Sequence, residues 1–77
     1  MVNHVSSAKT IGKRIRKIRR DKDLSQMQVA TRCRFGRSYL SQIESGVANP
    51  TLSVLCSIAT ALNVDMAVLF VSEPGVK

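Results

Sequence analysis

Residues 37–45 read Arg-Ser-Tyr-Leu-Ser-Gln-Ile-Glu-Ser. These types, at this spacing, suit the reading of hydrogen-bonding groups better than the breaking of bonds. Laid on a helix, Leu40 and Ile43 share one side, and Ser38, Ser41, Gln42 and Ser45 share the opposite one. Arg37 stands at the edge of that polar side, at its N-terminal end. Small hydroxyls let a helix approach a surface closely, and a longer arginine or glutamine reaches further. The DNA major groove, about 12 Å wide, admits such a helix and displays donors and acceptors on its base edges. There arginine pairs bidentately with guanine O6 and N7, glutamine with adenine, and serine with several edges. A solvated, serine-rich face is the plainer alternative, and one helix alone does not decide between them.

Catalytic chemistry is not expected. The chain lacks a carboxylate pair, a nucleophile beside a histidine and a glycine-rich phosphate loop. Cys33 and Cys56 form no CxxC pair, and the single histidine, His4, lies outside any ligand spacing. No metal or cofactor is expected, and both thiols are expected to be buried and reduced. No run approaches the roughly 20 apolar residues of a membrane span. The opening "MVNHVSSAKT" has no apolar signal core, so a cytoplasmic location is expected.

The 77 residues make one domain with one modest core, a size that is commonly stabilised by a partner subunit. Charge is unevenly spread. Residues 1–46 hold 11 of the 12 Lys and Arg against Asp21, Asp23 and Glu44, and residues 47–77 hold Lys77 against Asp65 and Glu73. One half would face a polyanion and the other a protein, although a solvated basic face has the same composition.

The elements that must position the polar face are all helical. Ile11, Ile15 and Ile18 share one side of a first helix from about Lys9 to Lys22. Its "IGKRIRKIRR" is basic and amphipathic, but it lacks aromatic membrane anchors, and its isoleucines belong in a core. Ser25 and Gln28 form a capping box that opens a second helix, whose buried side is Val29, Ala30 and Cys33. After a turn of about three residues, a third helix covers Arg37 to Ser45, with Gly46 ending it. Thr51 caps a fourth helix with an apolar stripe of Leu52, Leu55, Ile58, Ala59 and Leu62, which Asn63 ends. Asp65 caps a short fifth helix, "MAVLF". The expectation is an all-α, compact five-helix domain over residues 9–71, flanked by a flexible stretch 1–8 and a loose tail 72–77.

Short helix, tight turn, short helix, with the small Ala30 at the crossing, is the helix-turn-helix plan. The blocks "IGKRIRKIRR", "LSQMQVA", "RSYLSQIESG", "NPTLSVL" and "IATALNVDMAVLF" follow in order, and through them Ile11 to Phe70 resembles the lambda-repressor/Cro-like (XRE-type) helix-turn-helix family. That resemblance implies that Arg37, Ser38, Ser41 and Gln42 face bases. It implies a phosphate contact for Gln26, sugar-phosphate contacts for Tyr39 and Ser45, and backbone donors to phosphate from Val47, Ala48 and Asn49. Arg19 and Glu44 match a pair that forms a buried structural salt bridge in relatives. Two positions depart from the family pattern: Arg34 stands where a turn glycine is usual, and Gly36 where a serine or threonine cap is usual. Arg34 and Arg32 would add phosphate contacts or serve only solubility.

One helix reads few base pairs, so two copies about 34 Å apart on a palindromic site are expected. Met66, Leu69, Phe70 and Val71 would form the homodimer interface, or else simply close the small core. With no sequence after residue 71 suited to a sensing domain, no small-molecule ligand is expected. The run Arg37 to Ser41 is similar to the reading helix of restriction–modification controller proteins, which implies dimers on palindromic double-stranded DNA and pairs of dimers on tandem sites. A small phage-type repressor, or an antitoxin-type protein that mainly holds a protein partner, are the alternatives.

Overall fold

A computed structural model describes residues 7–70. Four α-helices, α1 (Ala8–Asp21), α2 (Gln26–Cys33), α3 (Arg37–Glu44) and α4 (Leu52–Leu62), are followed by a 3₁₀ helix, Met66–Phe70. No strand occurs among the described residues. Residues 1–6, Val71 and the tail 72–77, with the expectations placed on them, lie outside the described residues.

Local chemistry sets the boundaries. Ser7 accepts the Thr10 N–H at 3.1 Å, so α1 begins one residue before Lys9. Ser25 and Gln28 form the capping box reciprocally, at 3.0 and 2.8 Å. Thr51 accepts the Val54 N–H, and Asn63 closes α4 in the left-handed conformation with φ 59°. Gly46 follows α3 with φ 82°. The fifth helix is 3₁₀ and not α. Five residues are too few for a stable run of i→i−4 bonds, and the Asp65 carboxylate tightens the turn by accepting the Ala67 N–H at 2.9 Å.

Every element contributes to one core. Ile15, Val29, Leu40, Ile43, Ile58, Leu62 and Leu69 are the largest side chains sealed from solvent. α1 and α3 meet backbone to backbone, because Gly12 leaves no room for a Cβ against the carbonyls of Ile43 and Glu44.

Three expectations are corrected. Leu52, placed on the buried stripe of α4, is 64% exposed, because it is the first residue of the helix and no other element covers that end. Cys56 is exposed and Cys33 only half-buried, so the cysteines are not core residues. Burial still pushes the Cys33 thiol pKa up. Leu69 is buried in its own chain, and the remaining surface of the 3₁₀ helix is formed by exposed Ala67 with half-buried Met66, Val68 and Phe70.

Candidate nucleic-acid interface

The tight connection between α2 and α3 is built without glycine at its sharpest point. Arg34 takes the left-handed conformation, φ 64° and ψ 35°, and its N–H returns to the Thr31 carbonyl at 3.2 Å. The cost against glycine is about 1–2 kcal/mol. Phe35 then turns inward, donating its N–H to the Ala30 carbonyl at 3.1 Å, while Gly36 serves as N-cap of α3 without a side-chain bond. Leu40 and Ile43 are fully buried, which rotates the opposite side of α3 outward. Arg37, Ser38, Gln42 and Ser45 are exposed there, and Ser41 is half-buried.

Two flanking residues are tied down. The Tyr39 ring packs edge-on against Phe35, centroids 5.1 Å apart and planes at 86°, so its aromatic body is held at the turn. The Ser45 hydroxyl donates to the Gln42 carbonyl at 3.2 Å.

Beneath this face lies a buried ion pair. Arg19 Nε and Nη2 grip Glu44 Oε2 and Oε1 at 2.6 and 2.9 Å, and Arg19 Nη1 also donates to the Leu24 carbonyl at 2.8 Å. Both residues are over nine-tenths buried, and no buried side-chain polar atom among the described residues lacks a partner. Gln26 continues the chain outward. Its Nε2 donates to Glu44 Oε1 at 3.1 Å, and its Oε1 accepts from Arg37 Nη1 at 3.2 Å.

Other residues assigned to phosphate are placed differently. The N–H groups of Val47 and Ala48 both donate to the Gln42 carbonyl, at 2.9 and 3.1 Å. What this loop presents outward is the side chain of Val47, 78% exposed, with exposed Asn49 nearby. Arg32 reaches sideways to the Ala61 carbonyl of α4 at 2.9 Å, fastening α2 to α4, whereas Arg34 is exposed.

Sequence reasoning missed Lys9. A Cβ on Gly46 would lie 2.9 Å from the Lys9 Cα, so the first turn of α1 seats directly against the glycine that follows α3, and Lys9 is exposed there. That proximity is tertiary, and no local spacing signals it. No group of three or more potential metal-ligating side chains occurs among the described residues. No helix among them is long and apolar enough to cross a membrane.

The chain matches the helix-turn-helix family over residues 15–69. It is 38% identical over 68 residues to the immunity repressor protein of Bacillus phage phi105, an alignment covering 88% of this chain and 47% of that protein. The chain thus spans about half the length of that relative. Its fold is similar to the restriction-modification controller protein C.AhdI from Aeromonas hydrophila, with TM-score 0.80, 35% identity, and coverage of 82% of this chain and 96% of that one. It is also similar to the controller protein C.Esp1396I, solved as a tetramer in complex with its natural 35 base-pair operator. There the TM-score is 0.75 and the identity 30%, over 90% of this chain and 88% of that one.

Proposed function

We propose that this chain, which belongs to the helix-turn-helix family of DNA-binding transcriptional regulators, acts as a homodimer on a palindromic operator. One observation carries the reading. The polar side of α3, with Arg37, Ser38, Gln42 and Ser45 exposed, projects from a half of the chain that holds 11 of its 12 Lys and Arg. Each copy sets α3 into a major groove. Arg37 addresses guanine, Gln42 an adenine edge, and Ser38 and Ser41 the bases between them. Tyr39, Ser45, Asn49 and Arg34 hold the flanking backbone, together with Lys9.

We assign the protein to the control of a restriction–modification system, supported by the likeness to two controller proteins. A phage-type repressor is the second reading, favoured by the 38% identity to the phi105 immunity repressor. Selection of bound duplexes from a random pool tests the DNA reading. Two symmetric half-sites about one helical turn apart are the expected product. In the same assay, Arg37→Ala relaxes the preference at one base pair of each half-site and leaves the others in place. Enrichment of no symmetric sequence at moderate salt would sink the proposal.

A further inference from the structure

The buried ion pair and the exposed arginine are one connected system. Glu44, sealed at 4% exposure, receives Arg19 on both oxygens and Gln26 Nε2 on Oε1. Gln26 in turn receives Arg37 Nη1 on its own Oε1. Four side chains from α1, α2 and α3 run in sequence from the core to the tip of the polar face.

The direction of that chain is dictated by Glu44. A carboxylate can only accept, so the Gln26 amide beside it must turn its NH₂ inward. Its carbonyl oxygen then necessarily faces outward. The ambiguity of a glutamine amide, whose two ends are nearly isosteric, is removed by its buried neighbour. An outward oxygen is an acceptor, and it meets a guanidinium that can only donate. With the amide reversed, donor would face donor and Arg37 would lose its anchor. One guanidinium N–H held by Gln26 leaves the far edge of the fork free, and a fork is what pairs with guanine O6 and N7.

We infer that Glu44 is a positioning residue for DNA specificity. Through Gln26 it fixes the orientation in which Arg37 is presented to a base, a role additional to its ion pair with Arg19. The inference rests on Arg37 reading a base. Gln26 Nε2 keeps a second hydrogen beyond the one given to Glu44, so this role is compatible with a phosphate contact from the same side chain.

Competition binding tests it, using the preferred duplex and one with the Arg37-dependent base pair replaced. Gln26→Leu removes both bonds and spares the Arg19–Glu44 pair. It should cut discrimination at that base pair about tenfold, over and above any loss of affinity shared by every duplex. Gln26→Lys separates the roles further. A lysine can pair with Glu44 but offers Arg37 no acceptor, so discrimination falls while affinity for random duplex is held or raised by the added charge. The double variant Gln26→Leu/Arg37→Ala should discriminate no worse than Arg37→Ala alone, the signature of coupled residues. The apolar pair Arg19→Met/Glu44→Leu leaves no carboxylate to turn the Gln26 amide. Measured where its circular dichroism is native, it should show the same loss at that one position. Unchanged discrimination in that folded variant would overturn the part given to Glu44. The two Gln26 variants decide the step from Gln26 to Arg37 if the pair does not fold.

If Arg37→Ala discriminates like the parent protein, the base-reading assignment falls and the relay falls with it. If Arg37→Ala loses discrimination while both Gln26 variants keep it, the relay alone is overturned. Uniform weakening by Gln26→Leu on every duplex, with discrimination kept, would also overturn it, in favour of a phosphate contact alone.

Discussion

At the scale of single residues, the interface depends on groups that do not touch its surface. Arg19 and Glu44 are buried, doubly bonded and placed between α1 and α3. Removing one partner leaves a charge without compensation, so Glu44→Ala should lower unfolding free energy by roughly 3–5 kcal/mol, read by urea titration. Replacing both partners with apolar residues should cost much less than that single change, because the stranded charge is then absent. A loss under about 1 kcal/mol for Glu44→Ala would mean that water reaches the pair and that it clamps nothing. Among exposed cations the contrast is plain. Lys17 pairs with Asp21 at 3.2 Å on a surface where both side chains are more than half exposed, and that contact contributes little.

Helices and turns show where sequence was sufficient. Caps are local, so Ser25 with Gln28, Thr51 and Asn63 announce their helix ends within three or four residues. The core face of α3 was equally legible, since burial of Leu40 and Ile43 follows from helical period alone. What escaped depends on neighbours distant in the chain. Period places Leu52 on the apolar stripe, but only the third dimension shows that nothing covers it. The loop after α3 folds back so that the Val47 and Ala48 N–H groups meet the Gln42 carbonyl, which no local pattern announces. Arg34 illustrates the cost of an unusual turn residue. Arg34→Gly relieves the left-handed strain while adding freedom to the unfolded chain, and the net should be a gain of about 1 kcal/mol in thermal unfolding. If Arg34 also holds a phosphate, the same change lowers the salt dependence of DNA binding by about one counterion. Gly12→Ala should go the other way. Its new methyl would meet backbone carbonyls of α3 that cannot rotate aside, so α1 and α3 must separate, with a loss of about 2–3 kcal/mol or more and a weaker grip on every duplex alike.

For the whole molecule, size and symmetry have to agree with the DNA. The Cα extents are 37 × 22 × 18 Å, and two copies reading one palindrome would set their third helices about 34 Å apart. We propose the 3₁₀ helix as the contact between the two copies. Leu69 anchors it in the core, which leaves Met66 and Phe70 half-buried at the surface. Met66→Lys discriminates between closing the core and joining two chains. A lysine can lay its methylenes along the same apolar ground while its ammonium stays in water, so the monomer keeps its fold. Two facing ammonium groups would oppose a symmetric contact. The variant should therefore sediment as a monomer with native circular dichroism. Its affinity for a duplex with two half-sites should fall by at least tenfold, toward that of a single half-site, as the second binding event ceases to be intramolecular. Affinity for an isolated half-site should stay at the parent value, because α3 and its relay are untouched. A variant that still sediments as a dimer would move the interface away from the 3₁₀ helix, and the exposed Leu52 at the start of α4 would then be the next surface to change.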